Sequence, residues 1–283
     1  LLVNMLNMLE SFDLDALGWN SSDYVHLLTE VERRAYADRS EHLGDPDFWK
    51  IPISMLTSKE YAKNRMKTFS KERATLSTDI SASKNIHNES IETTHYSVVD
   101  ISGNAVSVTT TINLNYGSGI IVEGAGFFLN NEMDDFSSKP GVPNVFGLIG
   151  NEANAIEANK RPLSSMTPTI VLKDDKPFMV IGSPGGSTII TTTLQNILNV
   201  IEFNMDIEEA VSSPRFHSQW LPDVIQIEPR SLPKDVLIKL KEKGHQVVPY
   251  RWGYIGEANG ILILKDGLYG GGDNRGETSA IGY

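Results

Sequence analysis

The periodicity of this chain changes at residue 93, and that change constrains the fold more than any other feature. Up to about residue 75 the apolar positions recur at helical spacing. Residues 1–12 are apolar in helical phase, and residues 23–39 put Tyr24, Leu27, Leu28, Val31 and Ala35 on one face. A polar-rich helix is expected over 58–68. Residues 70–92 then lose periodicity and fill with Ser, Lys, Asn and Thr. They read as an exposed, mobile connector, the kind of place where a chain is cut. From Thr93 onward the pattern alternates. Residues 95–100 and 105–114 read as two strands around Ser102-Gly103-Asn104, a hairpin signal.

The remainder mixes both periods. Residues 166–172 and 178–181 read as a strand pair around Lys173-Asp174-Asp175-Lys176. Helices are expected over 188–204, 206–212 and 233–243, the last stopped by Gly244. Strands at 260–264 and 268–271 close the chain around Lys265-Asp266-Gly267. Helices, strands, a helix and strands again predict an α+β layered sandwich, with helices outside packed sheets.

The residue at the change of texture carries its own chemistry. Thr93 and Thr94 open the alternating run, and β-branched residues suit a strand start for structural reasons alone. An internal threonine hydroxyl has no base beside it. A threonine at a free N-terminus has its α-amine, with an unperturbed pKa of about 7.7–8.0. That is where a general base works best near neutral pH, and such a threonine is an activated nucleophile. A cut between Glu92 and Thr93 would create an active site there.

Three other stretches offer chemistry and a plainer alternative. Gly182-Ser-Pro-Gly-Gly-Ser187 joins a strand to a helix. It is either a tight turn or an oxyanion hole built from the Gly185 and Gly186 amides. It matches neither a phosphate-binding loop nor the dinucleotide fingerprint. Asn130-Asn-Glu-Met-Asp-Asp135 packs three carboxylates into four residues. It reads as a solvated loop, a metal site without the calcium-loop pattern, or a cradle for a substrate ammonium. Ser164 and Ser165 precede a strand, where hydroxyls serve the backbone or donate to a carboxylate. His42, His95 and His217 lack metal-ligand spacing and read as structural. Ser97 and Ser183 have no evident His or Asp partner, so a serine triad is not supported.

Composition removes further classes. The chain has 283 residues, 40% of them hydrophobic, and a formal net charge of −11. That is ample for a sizeable core and opposes nucleic-acid binding. With no cysteine, disulfides, thiolate metal sites and Cys nucleophiles are excluded. No run of 18 apolar residues occurs, so this segment does not read as a membrane span. Residues 1–10 read as the middle of a helix. The chain is expected to be a fragment or processed product that continues upstream, where a signal peptide would lie.

Taken together and in order, these stretches resemble the γ-glutamyltranspeptidase (glutathione hydrolase) family of N-terminal nucleophile hydrolases. The resemblance rests on Tyr36-Ala-Asp-Arg-Ser40, Leu43-Gly-Asp-Pro-Asp-Phe48, Thr93-Thr-His-Tyr-Ser-Val-Val-Asp100 and Leu129-Asn-Asn-Glu-Met-Asp-Asp-Phe136. It continues through Lys160-Arg-Pro-Leu-Ser-Ser-Met166, Gly182–Ser187 and Ser213-Pro-Arg-Phe-His217, essentially the whole chain.

The resemblance implies a four-layer αββα sandwich. Residues 1–92 would be the C-terminal part of a large subunit, with its upstream half missing, and 93–283 the small catalytic subunit. Thr93 would be the nucleophile of both self-cleavage at Glu92–Thr93 and turnover, supported by Thr111, with Gly185 and Gly186 as oxyanion hole. Asn113, Glu132 and Asp135 would hold the substrate α-ammonium, and Ser164 and Ser165 its α-carboxylate. The family's carboxylate-binding arginine lies upstream, so the isolated chain is expected to be incomplete as a catalyst. Residues 140–147 look like the family's lid loop, with Phe146 where a tyrosine often stands. The lid favours glutathione-like substrates over long poly-γ-glutamate.

The implied reaction moves the γ-glutamyl group of glutathione or a related amide to water or an amino acid, through an ester on Thr93. No metal or organic cofactor is implied, and the bacterial periplasm or exterior is the expected location. The rival readings are a related amide hydrolase, such as a cephalosporin acylase or poly-γ-glutamate depolymerase, and an unprocessed inactive homologue. The zwitterion cradle separates the first from a γ-glutamyl enzyme, and an intact Glu92–Thr93 bond would mark the second.

Overall fold

The computed structural model describes residues 1–80, 93–145 and 147–282. The chain forms two compact units that interleave in sequence. The first takes residues 1–89, 132–164 and 216–253, and the second takes 90–131, 165–215 and 254–283.

The first unit is built around a long helix. Its helices are α1 (Leu2–Leu9), α2 (Leu14–Leu17), α3 (Ser22–His42), α4 (Ile53–Leu56), α5 (Lys59–Arg65) and α6 (Ser77–Ile80). Ser21 caps α3 by accepting the Tyr24 N–H at 3.1 Å, and Arg39 and His42 sit in its last turn, where cations oppose the helix dipole. Tyr24, Leu27, Leu28, Val31 and Ala35 form the buried stripe expected from the spacing. The helix also buries Glu30, Arg33 and Arg34, which sequence spacing alone would put outside. Burial is tolerated because the charges are paired. Glu30 takes Arg33 and Arg34, each at 2.6 Å, and the Thr75 hydroxyl at 2.6 Å.

Residues 70–80 are largely exposed, as expected of a connector, but hydrogen bonds fasten part of the segment. Thr75 and Ser77 bond Glu30 and Arg33, and Trp220 Nε1 donates to the Ser77 carbonyl at 3.1 Å. The remaining polar stretch, 81–92, lies outside the described residues.

The second unit opens with β1 (Thr94–Val99) and β2 (Ala105–Thr110), an antiparallel hairpin in register from Thr94↔Thr110 to Val99↔Ala105. Its turn is organised by Asp100, which accepts the Ser102 and Asn104 amides at 2.8 and 2.9 Å. The second strand stops at Thr110 rather than at 114, because Asn113 adopts a φ of 75° that extended backbone cannot contain. Then come β3 (Thr169–Lys173), β4 (Lys176–Gly182), α7 (Thr188–Ile201) and α8 (Ile207–Ser212).

The first unit adds β5 (Phe216–His217), β6 (Ile225–Ile227), α9 (Lys234–Glu242) and β7 (Val247–Pro249). In its three-stranded sheet β6 pairs β5 antiparallel and β7 parallel. These strands of two and three residues are too short to show a period, and the sequence reading passed over them. The second unit ends with β8 (Asn259–Leu264) and β9 (Gly267–Gly272), completing an antiparallel sheet in the order β3-β4-β8-β9.

Within the second unit this sheet is covered on both faces. A Cβ on Gly182 would meet the His95 ring of β1 at 2.2 Å. One on Gly260, opposite Ile181, would meet the Ile207 side chain of α8 at 2.9 Å. Neighbouring strand residues face opposite ways. The hairpin therefore lies on one side and α8 on the other, giving the helix–sheet–sheet succession of the α+β class.

Candidate active site

Thr93 stands half-buried at the entry to β1. Its hydroxyl donates to Thr111 Oγ1 at 3.2 Å, and Thr111 Oγ1 also accepts the Asn113 amide at 2.9 Å. The hairpin register explains the meeting. With Thr94 opposite Thr110, the next residues outward on each strand face one another. Asn113 is 2% exposed. Its Nδ2 donates to the Asn131 carbonyl at 3.1 Å, and Asn131 Oδ1 accepts the Leu114 amide at 3.1 Å. This cross-bracing holds Asn113 in its left-handed conformation, which Asn tolerates better than most residues. The structure thus places Thr93, Thr111 and the Asn113 backbone amide side by side.

Two residues along, Ser97 does have a histidine partner, which corrects the sequence reading. Its hydroxyl lies 3.1 Å from His95 Nε2, while His95 Nδ1 meets Thr109 Oγ1 at 2.8 Å. No carboxylate backs the ring, and burial pushes its pKa down to about 4. His95 packs against Gly182 as a neutral structural group, so the contact does not make a triad. His217 is likewise buried, bonded to Gln219 at 2.8 Å and lowered to about 4 by burial. Ser183 bonds the Pro184 carbonyl at 2.6 Å and the Glu257 amide at 3.0 Å.

Gly185 and Gly186 are buried just before α7, with φ of 135° and 56°. Both carbonyls are committed to the helix start. Gly185 O accepts from the Thr188 amide at 3.0 Å and its hydroxyl at 2.8 Å, and Gly186 O from the Ile189 amide at 3.3 Å. Glycine is required at 185, because a Cβ would lie 2.5 Å from Thr188 Oγ1. Backbone ahead of a helix N-terminus is electropositive and suits a developing oxyanion. Thr93 and Pro184 line one cleft of about 930 Å³, together with the outer face of β1, Glu257 and residues 277–282.

In the first unit, Glu132 and Asp135 lie on one 3₁₀ turn and are hydrogen-bonded to one another. Burial, then the Glu132 charge, push Asp135 up to about 7 against the pull of Arg39, and burial raises Glu132 as well. Two carboxyls in one half-buried place share a proton until a cation arrives. Arg39 is buried beside Asp135 and reaches the Leu163 carbonyl at 3.4 Å. The sequence reading quoted Arg39 only as part of a motif, and the only signal available was a basic residue in a helix's last turn.

Ser164 is exposed in the first unit, and Ser165 is half-buried in the second. The segment before Ser164 is clamped by Arg161, whose Nε and Nη2 grip Asp45 at 2.9 and 2.5 Å. Two expected site residues, Glu92 and Phe146, lie outside the described residues.

Among the described residues, one cluster has metal-ligand chemistry. His26, Glu30 and His245 bring ligand atoms within 4.8 Å of one another. Their lone pairs and protons are already engaged: His26 spans His245 at 2.6 Å and the Ser70 carbonyl at 2.7 Å, and Glu30 holds two arginines. With two guanidinium groups beside the carboxylate, the donor set is a poor match for a cation. The histidines are 219 positions apart, so spacing could not announce the pair.

A family model described as Gamma-glutamyltranspeptidase matches residues 1–283. The glutathione hydrolase proenzyme of Escherichia coli (strain K12) is 50% identical over 275 residues, 97% of this chain and 47% of that protein. That of Pseudomonas sp. (strain A14) is 45% identical over 288 residues, 99% of this chain and 50% of that protein. Among solved structures, a mutant of Helicobacter pylori gamma-glutamyltranspeptidase is 60% identical with a TM-score of 0.63, covering 65% of this chain and 100% of that one. The chain spans about half the length of the curated relatives it matches. Among the described residues, no helix is long and apolar enough to cross a membrane.

Proposed function

The chain belongs to the gamma-glutamyltranspeptidase family, and from that premise we propose that its precursor cleaves itself between Glu92 and Thr93. The matured enzyme then transfers γ-glutamyl groups from glutathione and related amides to water or amino acids. The observation that carries this reading is the Thr93–Thr111 hydroxyl contact at 3.2 Å, on the residue that becomes an N-terminus if the preceding bond is cut.

In maturation, Thr93 Oγ attacks the Glu92 carbonyl and the acyl group moves from nitrogen to oxygen. Water then hydrolyses the ester, leaving a Glu92 carboxylate and a free Thr93 amine. In turnover that amine takes the hydroxyl proton as Oγ attacks the substrate γ-carbonyl. The Gly185 and Gly186 amides stabilise the oxyanion, and the leaving amine departs with the proton. Water or an acceptor amine then attacks the γ-glutamyl ester and regenerates Thr93.

Asn113, Glu132 and Asp135 hold the substrate ammonium, and Ser164 and Ser165 donate to its carboxylate. Fixing both ends of the amino acid orients the γ-carbonyl for attack. A substrate without the ammonium leaves the carboxylates unpaired and is rejected. The precursor yields a large subunit ending at residue 92 and a small one beginning at 93. Export to the periplasm or cell exterior completes the proposal.

Intact mass spectrometry of the whole precursor after incubation, with a γ-glutamyl-p-nitroanilide assay on the same sample, tests it. The expected outcome is a fragment beginning at Thr93 and release of p-nitroaniline, with both lost in Thr93→Ala. An uncleaved chain without turnover favours the inactive-homologue reading. Cleavage without γ-glutamyl turnover favours a related amide hydrolase.

A further inference from the structure

The acidic turn of residues 132–135 carries three carboxylates, and the ammonium cradle uses only two. The third, Asp134, turns to the loop that follows. Its Oδ2 accepts the backbone N–H of Val145 at 3.0 Å. That loop is a closed hairpin. Gly141 N–H donates to Gly150 O at 2.9 Å, Asn144 N–H to Leu148 O at 3.1 Å, and Gly147 N–H to Asn144 O at 3.0 Å. Asn144 Oδ1 also accepts the Leu148 amide at 3.1 Å. These bonds link residues 141–145 to 147–150, and Asp134 ties them to the turn bearing Glu132 and Asp135.

A second observation joins the same two parts. Asn144 and Leu148 of the hairpin wall a cavity of about 10 Å³, with Arg39 and Asp135 on its other sides. A shift of the hairpin would open the packing behind Asp135.

We propose that Asp134 is a positioning residue: a latch that holds the 139–150 hairpin against the acidic turn, so that hairpin position and ammonium binding are coupled. The inference rests on the γ-glutamyl reading for its kinetic consequence, though not for the latch itself. Asp134 touches no substrate in this scheme. Its effect appears in binding rather than in the chemical step.

Two variants of the whole matured protein test it. Asp134→Ala removes the acceptor, whereas Asp134→Asn keeps an acceptor oxygen of the same shape. Expected for Asp134→Ala is a rise of about tenfold in KM for γ-glutamyl-p-nitroanilide, the loss of one hydrogen bond, with kcat within about threefold. Hydrogen exchange across 139–150 is expected to quicken by about tenfold in the same variant. Asp134→Asn is expected to stay close to the parent in both readouts. Unchanged exchange or unchanged KM in Asp134→Ala overturns the proposal. So does an Asp134→Asn variant as defective as Asp134→Ala, which would make the charge rather than the hydrogen bond responsible. If the parent shows no γ-glutamyl turnover, the functional reading fails on its own, and the exchange measurement still decides the latch.

Discussion

Thr93 Oγ1 lies 3.2 Å from Thr111 Oγ1, one step beyond the last paired residues of the β1–β2 hairpin. The hairpin ladder thus sets the position of Thr93, the proposed nucleophile, and Thr111 links it to the Asn113 amide. Thr111→Val keeps the shape and removes the hydroxyl. Turnover and self-cleavage should both slow, by about 10- to 100-fold for one lost hydrogen bond at the reacting atom. Thr111→Ser should restore most of the rate. Equal rates in Thr111→Val and the parent, measured on whole precursor, would remove Thr111 from the mechanism.

Asp135 at about 7 predicts a pH dependence. Below that value the Glu132–Asp135 pair keeps a proton where the substrate ammonium should bind. Log kcat/KM should therefore rise with pH up to about 7 and then level, and Asp135→Asn should flatten this limb and weaken binding. Stability moves the other way. Asp135 has a folded pKa above its unfolded value, so ionising it opposes folding. The penalty is absent below about 4 and complete above about 7. Asp135→Asn should melt higher than the parent at pH 8, by about 2–4 °C for each kcal/mol recovered, and equal to it near pH 4. A variant less stable than the parent at pH 8 would contradict the burial cost.

Gly185 and Gly119 both have positive φ, 135° and 74°, but only Gly185 is crowded. Gly119→Ala should cost about 1 kcal/mol, the backbone penalty alone. Gly185→Ala adds a Cβ 2.5 Å from Thr188 Oγ1 and should also displace the amides ahead of α7. Melting temperature and turnover compared across the two variants separate strain from crowding. Equal behaviour of the pair would deny the turn any special fit.

The regular elements were legible because their periods are long enough to register. The α3 stripe of Tyr24, Leu27, Leu28, Val31 and Ala35, and the β1–β2 alternation, follow from spacing alone. The stopping Gly244 marked a helix end by its local chemistry. Long-range partners were not legible. Glu30 buried among two arginines and Thr75, or His26 facing His245, depend on residues brought together by the fold rather than by spacing. Ser97 was misread for a related reason. On a strand, i and i+2 share a face, so His95 was its neighbour all along. The proposed nucleophile was legible as a change of texture, and the proposed cradle as a cluster of like charges.

Asp45 and Arg161 give the last prediction, because they anchor the segment that leads to Ser164. Asp45 is buried and takes three donors from Arg161: the backbone amide at 2.8 Å, Nε at 2.9 Å and Nη2 at 2.5 Å. The guanidinium holds the Asp45 carboxyl well below the usual carboxylate range. A folded pKa below the unfolded one means the pair stabilises the fold above the unfolded value near 3.9 and loses that contribution as pH falls. Asp45→Asn should therefore melt below the parent at pH 7, and the gap should close as the pH drops below about 4. If Asp45–Arg161 also positions the Ser164 hydroxyl, the same variant should raise KM for γ-glutamyl-p-nitroanilide while leaving kcat nearly unchanged. A gap in melting temperature that does not narrow at all as the pH falls below about 4 would mean that packing, not the ion pair, carries the stabilisation. A fall in kcat at constant KM would move the anchor's role from substrate binding to the chemical step.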